Sequence, residues 1–261
     1  MSKTYKTSIS TVSPDRVLVR GYCVSEMLGE RNFGDMVYLL MTSELPKKNE
    51  GNMIDAMLVA CAEHSINAPS IHTARTVASC GVPVQEAISA GISAIGENHG
   101  GAGEACAEIL QNAIKENPET PSDELAAELV ADARQKGIRF PGFGHRFHTP
   151  VDPRAVKLLE LADEWGLSGA HISLAKEITA ELQKATGRQL PMNVDGALAA
   201  IISDMGIDWR FGKSIFIIAR TAGLAAHVHE EIATGKPLAF AGKGEIDYQG
   251  PQERPLAEKK K

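Results

Sequence analysis

Two histidines, two arginines and an aspartate fall within the fifteen residues from Phe140 to Arg154, F-P-G-F-G-H-R-F-H-T-P-V-D-P-R, alongside two glycines and three prolines. Gly142 and Gly144 reach backbone angles closed to other residues and each proline fixes φ, so the stretch reads as a loop. Imidazole exchanges protons near neutral pH and guanidinium grips carboxylates. Such a loop could hold an anionic small molecule and move its protons. It could equally be a surface connection with incidental charge, and the loop alone does not decide.

Other segments add to the same chemistry. Arg220 stands among Ile215, Ile217, Ile218, Ala219, Ala222 and Leu224. A guanidinium in apolar surroundings needs an anionic partner, either an internal carboxylate or that of a substrate. Asp195, in N-V-D-G, opens an apolar helical stretch, and residue type alone favours an N-cap over a catalytic role there. His64, His99 and His145 each lie beside a helix end in separate segments. Glycines follow His99 in N-H-G-G, leaving the ring reachable beside the free N–H groups of the next helix. No metal is expected, because no H-E-x-x-H pattern and no cysteine pair accompanies these histidines. His72, His148, His171, His227 and His229 read as surface or structural residues.

Positioning these groups is the work of helices. Asn32 caps a helix over 33–43, and apolar spacing predicts helices over 52–64, 69–79, 84–97 and 101–116. Ser122 opens S-D-E-L as a capping box for a helix running to Gly137. Asp152 and Pro153 supply N-cap and first position of another, reaching Gly166. Helices over 169–186, over 197–206 (A-L-A-A-I-I-S-D-M-G, led into by L-P-M-N-V-D-G) and over 213–234 complete the set. Small residues between Gly91 and Ala107 suit close helix packing. Strand character is confined to T-S-I-S-T-V and R-V-L-V-R, so the fold class is all-α. The expected division is an extended arm or hairpin over 1–30, a helical body over 31–240 and a polar tail over 241–261 whose end, P-L-A-E-K-K-K, is disordered.

Composition narrows the functions. Of 261 residues, 43% are hydrophobic, 23% charged and only 5% aromatic, the balance of a globular helical protein. A net charge of -6 argues against nucleic acid as partner. No apolar run approaches the ~18 residues of a membrane span, and the N-terminus lacks a signal-peptide core. The four scattered cysteines, Cys23, Cys61, Cys80 and Cys106, read as reduced core thiols of a cytoplasmic protein.

Five motifs taken together resemble the citrate synthase superfamily. They are E-H-S-I-N-A at 63–68, N-H-G-G-A at 98–102, P-G-F-G-H-R with D-P-R at 141–154, N-V-D-G at 193–196 and A-R-T-A-G-L-A-A-H at 219–227. Length and motif form are most similar to the stand-alone citryl-CoA lyases and the citryl-CoA lyase domain of ATP-citrate lyase. The resemblance implies a citrate synthase-like multi-helix fold, shortened. It implies that His99 hydrogen-bonds the thioester oxygen as the enolate forms, that His145 handles the proton on the oxaloacetate carbonyl or citryl hydroxyl, and that Asp195 moves the proton on the acetyl carbon. His64, Arg154 and Arg220 would hold the oxaloacetate end, and Gly142, Phe143, Gly144 and Arg146 would wrap coenzyme A.

The expected activity is cleavage of citryl-CoA to acetyl-CoA and oxaloacetate, with coenzyme A as part of the substrate and no other cofactor. The alternatives are a small citrate synthase, a lyase for a related 2-hydroxy acyl-CoA and a non-catalytic helical assembly. The synthases take a further arginine from a neighbouring subunit near the C-terminus; here Lys243 and Arg254 are the cations nearest that place. Gly/Ala-rich helices and the apolar 213–234 stretch lead to the expectation of a homo-oligomer, at least a dimer.

Overall fold

The computed structural model describes residues 5–238 and 249–250. The chain enters as an antiparallel meander, β1 (Ser10–Ser13), β2 (Arg16–Val19) and β3 (Tyr22–Cys23), which pairs Thr11 with Leu18 and Leu18 with Cys23. Its side chains are largely exposed, as a hairpin-like arm would leave them. The 241–248 and 251–261 parts of the expected tail, including Lys243 and Arg254, lie outside the described residues.

Eleven α-helices follow among the described residues. A single turn, α1 (Val24–Met27), leads to α2 (Phe33–Thr42), where Asn32 accepts from Asp35 N–H and the Asp35 carboxylate accepts from Asn32 N–H. Then come α3 (Glu50–Ala62), α4 (Pro69–Ser79), α5 (Val84–Ser93), α6 (Ala102–Glu116) and α7 (Ser122–Gln135). The predicted capping box at Ser122 does not form. Pro121 occupies the cap and Ser122 the first helical position, one residue too late for its hydroxyl to reach back. Helix α5 ends at Ser93, short of the predicted 97, because the chain turns there to carry N-H-G-G.

After the 140–152 loop come α8 (Pro153–Glu164), α9 (Ala170–Thr186), α10 (Val194–Asp204), a 3-10 turn (Trp209–Phe211) and α11 (Gly212–Thr234). The axis of the core is α10: every residue from Gly196 to Ser203 is buried. A helix apolar all round must be enclosed by others, and α6, α8 and α9 enclose this one. Its last residue, Asp204, accepts from the N–H groups of Gly169, His171 and Ile172, so its charge sits on the positive end of α9. On the other side, α11 packs against α3, α4 and α5. Among the described residues no helix is long and apolar enough to cross a membrane. Cys23, Cys61 and Cys106 are buried free thiols, but Cys80 is exposed at the end of α4, against the expectation of four core thiols.

Candidate active site

The start of α10 and the 140–152 loop are built as one unit. Asn193, not Asp195, is the N-cap: its side-chain oxygen accepts from Asp195 N–H (2.9 Å) and Gly196 N–H (3.2 Å). Its amide donates to Gly144 O (2.9 Å), while Asn193 N–H donates to Gly142 O and Gly144 N–H to Pro191 O. These bonds fix His145 relative to α10. The approach needs glycine on both sides: Gly142 has φ +84, and a Cβ there would meet Gly196 Cα at 2.7 Å. Asp152, fully buried, adds a further tie by accepting from Val194 N–H (3.0 Å).

With the cap supplied by Asn193, the Asp195 carboxylate is free for other work. It lines the pocket, accepts no hydrogen bond among the described residues, and burial pushes its carboxyl above the usual carboxylate range despite Arg154 and Arg220 nearby.

Arg220 is 2% exposed. Its Nε and Nη2 donate to Cys61 O (3.2 and 3.1 Å), one of the carbonyls left open by the end of α3, and its guanidinium carbon lies 4.9 Å from the Phe216 ring centre. Gly223 lets α3 come this close, since a Cβ there would collide with Ala62 O. Among the described residues no carboxylate lies within ion-pair distance of Arg220, although the charge of Glu63 acts on it, and Nη1 is buried without a hydrogen-bond partner.

Arg154 is held by Asp152 through Nε–Oδ1 (3.1 Å) and Nη2–Oδ2 (2.9 Å) bonds. Burial raises the Asp152 carboxyl, but the bonds and charge of Arg154 win and hold it below its ordinary range. Sequence reading gave Asp152 only the cap of α8; its bonds to Arg154 and Val194 show that it also sets the pocket geometry.

Burial and neighbouring positive charge disfavour the protonated form of His64, His99 and His145. Burial first, then the charge of Arg220, lowers the pKa of His99; burial, Arg154 and His148 lower that of His64; burial and His148 lower that of His145. Their partners fix where two of the protons sit. Ser70 N–H, which can only donate, faces His99 Nε2 (3.4 Å), with Ser70 Oγ at 2.8 Å from the same nitrogen. Nε2 therefore presents its lone pair, and the His99 proton is on Nδ1. His145 Nδ1 accepts from the backbone N–H groups of Phe147 and His148 (3.0 Å each), which places the His145 proton on Nε2. In this state both rings offer donors to a ligand.

His64, His99, His145, Arg154, Asp195 and Arg220 all line one open pocket of about 240 Å³. Arg146 is exposed at its mouth. The other three residues assigned to coenzyme A do not line it: Gly142 and Gly144 shape the loop backbone, and Phe143 lines a neighbouring cavity of about 180 Å³ with Phe140 and Leu190. The nitrogens of His64, His145 and His148 come within 4.8 Å of one another, a spacing that could hold a divalent cation. Arg154 and Arg220 next to them oppose positive charge, so the donor set suits an anion better.

Sequence reading missed Ser70, Asn193 and His148. Asn193 carried a signal, since Asn before an apolar helix is a strong cap residue. Ser70 carried none, and His148 was placed with the structural histidines, whereas its Nε2 lies 3.1 Å from Nε2 of His64. His171 and His227 do prove structural, pairing with Asp204 (2.8 Å) and Glu63 (3.1 Å).

The citrate synthase C-terminal domain family matches residues 47–239. The citrate synthase of Helicobacter pylori is 35% identical over 192 residues, covering 70% of this chain and 44% of its own length. The putative citrate synthase 2 of Mycobacterium bovis is 34% identical over 187 residues, covering 70% and 48%. The chain thus spans about half the length, or less, of these curated relatives. Among solved structures, citryl-CoA lyase from Hydrogenobacter thermophilus is 35% identical with TM-score 0.89, covering 98% of both chains. ATP citrate lyase from Methanothrix soehngenii shares the fold at 22% identity and TM-score 0.84, over 97% of this chain and 43% of its own. With five motifs in order around one pocket and a family match over most of its length, this chain belongs to the citrate synthase family.

Proposed function

We propose that the chain cleaves citryl-CoA to acetyl-CoA and oxaloacetate by a retro-Claisen reaction. The observation that carries this reading is the convergence of an unpaired Asp195, two donor imidazoles and two guanidinium groups on one pocket. Arg220, with an unpaired N–H group, and Arg154, pre-set by Asp152, would take substrate carboxylates. The His99 Nδ1–H would stabilise the enolate of acetyl-CoA, and the His145 Nε2–H would bind the oxygen that becomes the oxaloacetate carbonyl. Asp195, with its proton affinity raised by burial, would protonate the methylene carbon as the carbon–carbon bond breaks. Similarity over the full length to a citryl-CoA lyase favours cleavage over synthesis.

A small citrate synthase would use the same residues, and the fate of the thioester separates the two. Incubated with acetyl-CoA and oxaloacetate, a synthase releases stoichiometric free CoA thiol. The lyase reading expects no thiol above the uncatalysed rate; steady thiol release would overturn it.

A further inference from the structure

Three residues that line the pocket, His64, Asn67 and Ala68, come from the short link between α3 and α4. The link begins with a turn held by one side chain. Glu63 Oε1 accepts from Ser65 N–H (2.6 Å), Ser65 takes φ +74 in the left-handed region, and Ser65 O accepts from Ala68 N–H (3.1 Å). A residue with a Cβ keeps that conformation only where its surroundings over-determine it. The link runs into α4, whose second residue, Ser70, meets His99 Nε2.

Glu63 is itself anchored from α11. The same carboxylate oxygen lies 3.1 Å from His227 Nε2. The other ring nitrogen settles the tautomer: Nδ1 faces Arg75 Nη1 (3.4 Å), and a guanidinium only donates, so Nδ1 carries the lone pair and Nε2, next to the carboxylate, the proton. Arg75 is fixed in turn by Glu230 and by the buried Glu231 (2.7 Å). Arg220, Gly223 and His227 fall at i, i+3 and i+7 of α11, on one stripe of the helix, and all three meet the end of α3. Arg220 binds Cys61 O, Gly223 leaves room for Ala62 O and the Glu63 carboxylate, and His227 faces Glu63. Of the charged groups acting on Arg220, Glu63 has the largest effect.

We propose that Glu63 is a positioning residue for the cleavage reaction: anchored to His227, it fixes the turn that brings His64, Asn67 and Ala68 into the pocket, and its charge moderates the hold of Arg220 on a carboxylate product. The inference rests on the citryl-CoA reading. Glu63 does not line the pocket; it acts through the backbone it fastens and through its charge. A negative charge near a binding arginine weakens the grip on a dianion and so helps oxaloacetate leave.

The Glu63 side chain is 43% exposed, so replacing it should leave the fold intact. Glu63→Gln keeps an oxygen for Ser65 N–H and removes the charge, whereas Glu63→Ala removes both. With citryl-CoA, Glu63→Ala should lower kcat by about tenfold or more, and Glu63→Gln should recover most of it. By calorimetry, Glu63→Gln should bind oxaloacetate about two- to fivefold more tightly than wild type, the gain shrinking at high salt. A side chain with only a structural role would move the melting temperature and neither of these. Without substrate, hydrogen exchange at the Ser65 amide should speed up in Glu63→Ala and stay near wild type in Glu63→Gln. Wild-type kcat in a folded Glu63→Ala, or an oxaloacetate affinity unaltered by Glu63→Gln, would overturn the proposal. If the wild type does not cleave citryl-CoA, the functional reading falls, and unchanged Ser65 exchange in Glu63→Ala would by itself refute the positioning role.

Discussion

Asp195 is a half-buried carboxylate that accepts no hydrogen bond among the described residues and whose charge its neighbours do not fully compensate. Its folded-state pKa is raised, so ionisation favours the unfolded chain. The wild type therefore loses stability as pH rises through the raised value, and the loss is absent below about pH 4, where the unfolded group is also protonated. Asp195→Asn should accordingly melt at a higher temperature than wild type at pH 7, with the difference gone at the acid end. The same variant should lose about 10³-fold or more in kcat while binding oxaloacetate normally by calorimetry. Arg220→Lys should weaken oxaloacetate binding by at least about tenfold, because an ammonium cannot both hold the Cys61 carbonyl through two N–H groups and present a planar fork to a carboxylate; unchanged affinity would remove Arg220 from the site. Arg220 was legible in the sequence because a cation amid isoleucines has to be explained. Asp195 was legible only through the resemblance, since N-V-D-G offers two cap residues and only coordinates show that Asn193 takes the role.

At the level of elements, the site depends on how the 140–152 loop is fastened to α10. Asn193 does two jobs, capping the helix and donating to Gly144 O, and they can be separated. Asn193→Asp keeps an oxygen for the cap but loses the amide donor, so stability should stay near wild type while kcat falls. Asn193→Ala loses both and should also cost about 1–2 kcal/mol in denaturant unfolding. Gly196→Ala would drive a methyl into Gly142 O, costing about 1–3 kcal/mol and displacing the loop. Helix positions follow from apolar spacing and from punctuation by Pro69, Asn117, Pro153 and Gly187. What the sequence could not show was the register between segments distant in the chain: which loop carbonyl meets which amide, or that Ser70 faces His99 across twenty-nine residues. Ser122 misled for a local reason, because a proline immediately before it can take the cap position itself.

The whole molecule is a helical body with a small β-meander at its start, and its pocket gathers residues from five separate stretches between His64 and Arg220. All of this lies in a chain about half the length of the citrate synthases it matches. Phe33, Val59 and Ile66 remain exposed on the described surface. A protomer that associates with itself would cover residues of this kind. The proposed homo-oligomer predicts at least a dimer mass by light scattering; a monomer at micromolar concentration would contradict it. The most direct test of the account is a product analysis on synthetic citryl-CoA with the purified chain alone. It predicts equal amounts of acetyl-CoA and oxaloacetate with no free CoA, and almost none of either with Asp195→Asn. Citrate and free CoA as the products, or undiminished cleavage by that variant, would contradict it.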